Sequence, residues 1–143
     1  MANIILVDDR EQSGKHTKES LEAEGHHVEW IQEERVGPCQ DILWDALRAR
    51  IWDILVLDIQ LGAEVYGGIW VYNNSVQGGH RDRWKHTIVY TKHSGPNVRI
   101  ATHPSHEFPI RVFVDTAGIP FENVVQSNVE GRQPLLDRIS AIG

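Results

Sequence analysis

Three aspartates stand directly after two short runs of apolar residues, and their positions suggest that they act together. Asp8 and Asp9 follow the apolar run of residues 4–7, and Asp58 follows the apolar run of residues 54–57. Short apolar runs bounded by turn-forming residues are typical of strands that are buried on both faces of a parallel sheet. Ligands bind outside the carboxyl ends of such strands. We therefore expect Asp8, Asp9 and Asp58 to meet at the mouth of one site.

Carboxylates that converge in this way repel one another, so the arrangement requires a cation. Mg²⁺ is the natural candidate, because it binds one or two carboxylates, keeps several waters and completes its shell with phosphate oxygens. The backbone carbonyl of Gln60 is expected to supply a further oxygen ligand. The remaining carboxylate could then attack phosphorus and form an aspartyl phosphate. The hydroxyl of Thr91 could donate a hydrogen bond to a phosphoryl oxygen, and a lysine is expected to hold another.

The rest of the sequence alternates strand-like segments with helical ones. Predicted strands cover residues 3–7, 27–31, 54–57, 87–91 and 123–126, and predicted helices cover residues 13–24, 39–50, 68–76, 110–117 and 132–142. Residues 94–109 are rich in Gly, Pro, His and Asn, and we expect a mostly extended loop there. Such alternation indicates βαβ units with helices on both faces of a parallel sheet. We predict an α/β fold, a flavodoxin-like doubly wound (βα)5 three-layer sandwich with strand order 2-1-3-4-5.

Composition limits the possible functions. The 143 residues suffice for a single domain, 1–143, and the net charge of −6 argues against non-specific nucleic-acid binding. No run approaches the roughly 18 apolar residues of a membrane span, and because the first residues show neither a basic region nor a cleavage motif, we expect no signal peptide. The lone Cys39 suits a reducing compartment, so we expect a cytoplasmic protein. Trp70 and Trp84 flank the predicted third helix and are candidates for a partner surface.

The chain resembles the receiver domain of bacterial response regulators, the CheY-like domains of two-component systems. Residues 4–9 are similar to that family's first strand and acidic pair, and residues 54–58 to its third strand and phosphoacceptor. Residues 87–91 resemble its fourth strand with a terminal hydroxyl. The resemblance covers nearly the whole chain.

The resemblance implies a function in phosphorelay signalling. It implies that Asp58 accepts a phosphoryl group from a histidine kinase or a histidine phosphotransfer protein. Mg²⁺ would be held by Asp8, Asp9, Asp58 and the Gln60 carbonyl, and Thr91 would contact the phosphoryl group. The chain would act as a signalling domain that docks to a downstream protein or output domain, rather than as an enzyme.

One departure from the family concerns its lysine at the end of strand five. Ser127 or Asn128 stands at that place, and the sequence has no Lys or Arg between Arg111 and Arg132. Loss of this lysine removes a charge-assisted contact to the phosphoryl group. Lys92 could substitute only if the chain turns directly after the fourth strand, because neighbouring strand residues face opposite ways.

Further departures leave a second interpretation open. Gly62 stands where the family has a proline, and Val125 stands near its switching aromatic residue. The alternative is a pseudo-receiver, an interaction module that is regulated by partner binding rather than by phosphorylation. An intact acidic triad favours the phosphorylated receiver, because unneeded like charges raise the free energy of the folded state.

Other chemistries fit the residues less well. An aspartyl phosphatase of the haloacid-dehalogenase type would carry a second aspartate where Gln60 stands. A flavodoxin would need a loop rich in Ser, Thr and Gly where residues 8–11 are charged. The histidines at positions 103 and 106 lack the further ligands of a zinc site.

Overall fold

Strands and helices alternate along the chain in the order that the apolar pattern predicts. The computed structural model describes residues 1–91, 104–126 and 132–142. The strands are β1 (Asn3–Val7), β2 (His27–Ile31), β3 (Trp52–Leu57), β4 (Trp84–Thr91) and β5 (Val124–Gln126). The helices are α1 (Glu11–Ala23), α2 (Val36–Ala49), α3 (Gly67–Gln77), α4 (Pro104–Ala117) and α5 (Gln133–Ile142). None of the helices in the described ranges combines the length and the apolar character that crossing a membrane requires.

The five strands form one sheet in the order β2-β1-β3-β4-β5, and all four neighbouring pairs are parallel. The flavodoxin-like order 2-1-3-4-5 is therefore confirmed. Between β1 and β3, Val7 lies opposite Leu57. Because both strands end at this level, the residues that follow them leave the sheet side by side. The chain thus places Asp8 next to Asp58.

Apolar side chains fill the space on both faces of the sheet, which makes the fold a three-layer sandwich. On one face the sheet packs against α2, α3 and α4 through buried side chains that include Ile5, Val7, Leu43, Leu47, Leu55, Leu57, Val71 and Phe113. On the other face it packs against α1 and α5 through Ile4, Leu6, Leu21, Ile54, Val56, Leu135 and Ile139. Successive residues of β1 and β3 point into opposite layers, which is why their apolar runs are continuous.

Helix α4 differs from the prediction of an extended loop over residues 94–109. It begins at Pro104, six residues before the predicted start at residue 110. A proline is tolerated in the first turn of a helix, where its missing N–H has no intrahelical partner. A second proline, Pro109, lies inside the helix, and sequence rules treat such a residue as a helix breaker. Phe113 and Val114 are buried in the core, and this packing supports α4 despite the proline.

Gly68 brings the start of α3 into contact with the chain that leaves β3. Its N–H donates to the Ile59 carbonyl oxygen at 2.7 Å. A Cβ atom at position 68 would overlap the Asp58 carbonyl oxygen, which is backbone and cannot rotate away. The absence of a side chain at position 68 is therefore what lets α3 lie against the segment that carries Asp58.

We expect Gly68→Ala to lower the free energy of unfolding by about 1–3 kcal/mol, because the new methyl group forces the backbone apart. Urea denaturation followed by circular dichroism measures this change. Gly37→Ala is the matched control, since a Cβ atom at position 37 in the first turn of α2 would have nothing within 4 Å. The control should leave stability unchanged or raise it slightly. Equal stabilities for the two variants would contradict the role assigned to Gly68.

Candidate functional site

The backbone at the ends of β1 and β3 fixes the positions of two aspartates. The Asp8 N–H donates to the Ile31 carbonyl oxygen at 3.2 Å, and the Asp58 N–H donates to the Val7 carbonyl oxygen at 3.0 Å. Each bond extends the hydrogen bonding of the sheet one residue beyond a strand. The hydrogen bonds of the sheet, rather than a loop conformation, therefore fix the backbone positions of both aspartates.

Asp8, Asp9 and Asp58 come together as the spacing predicts. Each offers a carboxylate oxygen, and these oxygens lie within 4.8 Å of one another. Asp8 is 2% exposed and Asp58 is 5% exposed, whereas Asp9 is partly exposed. Carboxylates held this close and this far from water require a compensating positive charge.

Asp8 is held by several hydrogen bonds. Its Oδ2 accepts from the Ser13 hydroxyl at 3.2 Å, and its Oδ1 accepts from the Arg10 N–H at 3.0 Å. The Trp30 indole N–H donates to the Asp8 carbonyl oxygen at 2.8 Å. Gly14 makes this last contact possible, because a Cβ atom at position 14 would overlap the indole ring. Both the carboxylate and the backbone of Asp8 are thus oriented before any ligand binds.

Asp9 is oriented by the loop that follows β3. The Gly62 N–H donates to Asp9 Oδ2 at 2.8 Å. Gly62 has a φ of +55°, a conformation that side chains disfavour. The Gln60 side-chain amide donates to the Gly62 carbonyl oxygen at 3.1 Å. The backbone carbonyl of Gln60, which follows Asp58 along the same loop, remains a predicted metal ligand.

Arg10 supplies a positive charge to this cluster. Its Nε lies 3.4 Å from Asp8 Oδ1, and its Nη2 lies 3.6 Å from Asp58 Oδ2. Burial alone lowers the pKa of Arg10, but the charges of Asp8 and Asp58, the hydrogen bond to Asp8 and the charge of Asp9 outweigh that effect and raise it. The guanidinium is therefore an internal counter-ion of the aspartates.

Sequence reasoning missed Arg10 as a member of the site. The available signal was its position directly after the acidic pair, whereas the resemblance to receiver domains led us to expect a lysine at the end of strand five. Lys92, Ser127 and Asn128 lie outside the described residues. Thr91 ends β4, where its backbone pairs with Gln126, and its side chain lies outside the described part of the chain.

A cleft of about 510 Å³ lies along the loop whose Gly62 N–H donates to Asp9. Its lining includes Glu34, Glu64, Gly62 and the indole of Trp70, which is 55% exposed. Gly62 therefore belongs both to this cleft and to the hydrogen bonding of Asp9. The expectation that Trp84 faces a partner was wrong, because Trp84 is 1% exposed and packs inside the core.

Comparisons with known proteins support the fold but reach no relative by sequence. No family model matches the chain, and no curated protein matches it. Solved structures do match over nearly its whole length.

The non-phosphorylated HemR receiver domain from Leptospira biflexa is 19% identical, with a TM-score of 0.67 over 99% of this chain and 94% of that one. The response regulator TrrA from Thermotoga maritima, solved in complex with Mg(2+)-BeF, is 15% identical, with a TM-score of 0.65 over 100% of both chains. The chemotaxis protein CheY4 from Vibrio cholerae is 16% identical, with a TM-score of 0.65 over 100% of this chain and 99% of that one. The chain therefore has the fold of CheY-like response regulator receiver domains, as the resemblance of its sequence predicted.

Proposed function

We propose that residues 1–143 form a single cytoplasmic receiver domain in which Asp58 accepts a phosphoryl group from a histidine kinase or a histidine phosphotransfer protein. The observation that carries this proposal is the convergence of Asp8, Asp9 and Asp58 at the switch point of the sheet, with carboxylate oxygens within 4.8 Å of one another. Similar folds alone would not support it, because one fold can serve many functions.

The donor atoms suit Mg²⁺. The cluster offers carboxylate oxygens, and Mg²⁺ prefers hard oxygen ligands and few protein carboxylates. We propose that Asp8, Asp9, Asp58 and the Gln60 carbonyl hold the ion. When bound, Mg²⁺ would neutralise charge on the phosphoryl oxygens during transfer. The response regulator TrrA, which has a similar fold, was solved in complex with Mg(2+)-BeF, and this supports the proposal.

In this proposal Asp58 acts as the nucleophile. Its carboxylate oxygen would attack the phosphorus of a phosphohistidine, so that a P–O bond forms while the P–N bond breaks. The leaving imidazole keeps the electron pair of the P–N bond. The remaining residues position the reaction rather than transfer protons, as phosphoryl transfer requires. Thr91, at the end of β4, is proposed to donate a hydrogen bond to a phosphoryl oxygen.

The cleft beside the site offers a surface for the phosphate donor or for the downstream partner. The exposed indole of Trp70 provides apolar contact area, and Glu34, Glu64 and Arg35 give the lining charged groups of both signs. Aromatic residues of this kind are enriched where proteins bind one another. We propose that the chain signals by docking to a downstream protein or output domain, without binding nucleic acid or membranes.

A pseudo-receiver is the second candidate, and Arg10 is the observation that favours it. Its guanidinium already neutralises part of the charge of the aspartates without any metal ion. A module of this kind would keep its fold and its partner surface while never binding phosphate. The two candidates make opposite predictions for the chemistry of Asp58.

We expect Asp58→Asn to abolish phosphorylation by acetyl phosphate in the presence of Mg²⁺, because an amide cannot form the acyl phosphate. Intact-protein mass spectrometry measures the gain of one phosphoryl group. Asp45→Asn, which removes an exposed carboxylate on α2, is the control and should be labelled like the natural protein. Labelling that persists in Asp58→Asn would refute the assignment of Asp58. A natural protein that takes no label would favour the pseudo-receiver.

We expect Mg²⁺ to stabilise the folded protein, because an ion that binds only the folded state lowers its free energy. At ten times its dissociation constant the gain is about 1.4 kcal/mol, measured by urea denaturation against NaCl of equal ionic strength. Asp9→Asn should weaken this response, since it removes one carboxylate from the cluster. No difference between MgCl₂ and NaCl would count against the metal site.

A further inference from the structure

We infer that Arg10 binds the phosphoryl group on Asp58, and this inference rests on the proposed phosphorylation of that residue. A phosphoryl group carries its charge on oxygens that need cationic or hydrogen-bonding partners. The sequence has no Lys or Arg between Arg111 and Arg132, the part of the chain that includes the end of strand five. Arg10 brings a permanent positive charge to the phosphoacceptor from the other side of the site.

Among the described residues, one nitrogen of the Arg10 guanidinium finds no hydrogen-bond acceptor. Nε is engaged with Asp8 Oδ1 at 3.4 Å. Nη2 is buried, and within the part of the chain that the structure describes it has no hydrogen-bond acceptor. Its 3.6 Å separation from Asp58 Oδ2 makes the contact ionic rather than a hydrogen bond. A buried N–H donor without an acceptor is unfavourable, and an oxygen attached beyond Asp58 Oδ2 would satisfy it.

The side chain is placed for this contact before phosphorylation. Arg10 directly precedes α1, and its backbone N–H donates to Asp8 Oδ1. About 40% of the side chain is exposed, so the aliphatic part can shift while the guanidinium stays among the carboxylates. A planar guanidinium can bind Asp8 and a phosphoryl oxygen at the same time. Arg10 would thus link a metal ligand to the modified residue.

Two opposite effects of removing Arg10 follow from this arrangement. Without phosphate, the guanidinium neutralises the same carboxylates that Mg²⁺ would bind, so its loss should strengthen Mg²⁺ binding. With a phosphoryl group on Asp58, the guanidinium stabilises the added negative charge, so its loss should weaken binding of a phosphoryl mimic. A residue that acts only as a counter-ion would produce the first effect without the second.

The test uses the full chain and the phosphoryl mimic beryllofluoride. Mg²⁺ affinity is measured first, by tryptophan fluorescence, since Trp30 donates to the Asp8 carbonyl oxygen. Beryllofluoride affinity is then measured at saturating Mg²⁺ for the natural protein, Arg10→Gln and Arg10→Lys. Lys15→Gln is the matched control, because Lys15 is exposed on α1 and its loss removes the same charge.

We expect Arg10→Gln to bind beryllofluoride about ten- to a hundred-fold more weakly, with Mg²⁺ affinity equal to or higher than that of the natural protein. Arg10→Lys should bind beryllofluoride with an affinity between those of the natural protein and Arg10→Gln, since it keeps the charge but loses the planar guanidinium. Lys15→Gln should bind Mg²⁺ and beryllofluoride with the affinities of the natural protein. Circular dichroism and urea denaturation of each variant separate a binding defect from misfolding.

Two results would overturn the inference, and they differ in what they say about the proposed function. If a folded Arg10→Gln variant bound beryllofluoride as tightly as the natural protein does, Arg10 would be a counter-ion alone, while the proposed phosphorylation of Asp58 would stand. Absence of beryllofluoride binding in the natural protein, together with absence of labelling by acetyl phosphate, would overturn both.

Discussion

The mutual repulsion of Asp8, Asp9 and Asp58 is the constraint on which the rest of the site depends. The fold brings these carboxylates together because β1 and β3 are neighbours that end at the same level. Two of the three are nearly buried, so water cannot screen them. Arg10 offsets part of the charge, and the Gly62 N–H stabilises Asp9. Within the described part of the chain, Arg10, Ser13 and the Gly62 N–H all meet the carboxylates of Asp8 and Asp9 as donors or as a cation, which is what such a site requires.

Rigidity of the site comes from elements on both sides of the sheet. From one layer, Trp30 of β2 donates to the Asp8 backbone, and Gly14 of α1 leaves room for its ring. From the other layer, Gly68 of α3 lies against the Asp58 carbonyl oxygen. Small residues at these two positions let large elements approach the backbone of the aspartates. Preorganisation of this kind suits the proposed phosphoryl transfer, a reaction that depends on positioning.

Much of the fold could be predicted from the sequence because its strongest signals are local. The apolar runs at residues 4–7 and 54–57 are continuous because both faces of these strands are buried, and the alternation of elements indicated the strand order. The three aspartates could be predicted as neighbours for the same reason. A strand that ends on a carboxylate places that carboxylate at the edge where ligands bind.

Features that depend on distant contacts could not be predicted. Helix α4 includes Pro109 because the burial of Phe113 and Val114 outweighs a local preference against helix. The position of Trp84 beside the predicted third helix suggested a partner surface, yet its indole N–H donates to the Thr87 hydroxyl inside the core. Arg10 was missed because its contact with Asp58 forms only when β3 brings Asp58 close. The two residues are 48 positions apart in the sequence.

Gly62 shows why family averages are a poor guide to improving this protein. The receiver domains that the sequence resembles usually carry proline at this position, so a design based on that resemblance would introduce it. Proline holds φ near −65° and has no N–H, whereas position 62 has a φ of +55° and donates its N–H to Asp9. The substitution would force the loop to refold and would leave a carboxylate of the acidic cluster without its backbone donor. Residue choice at this position is therefore coupled to the charge balance of the site.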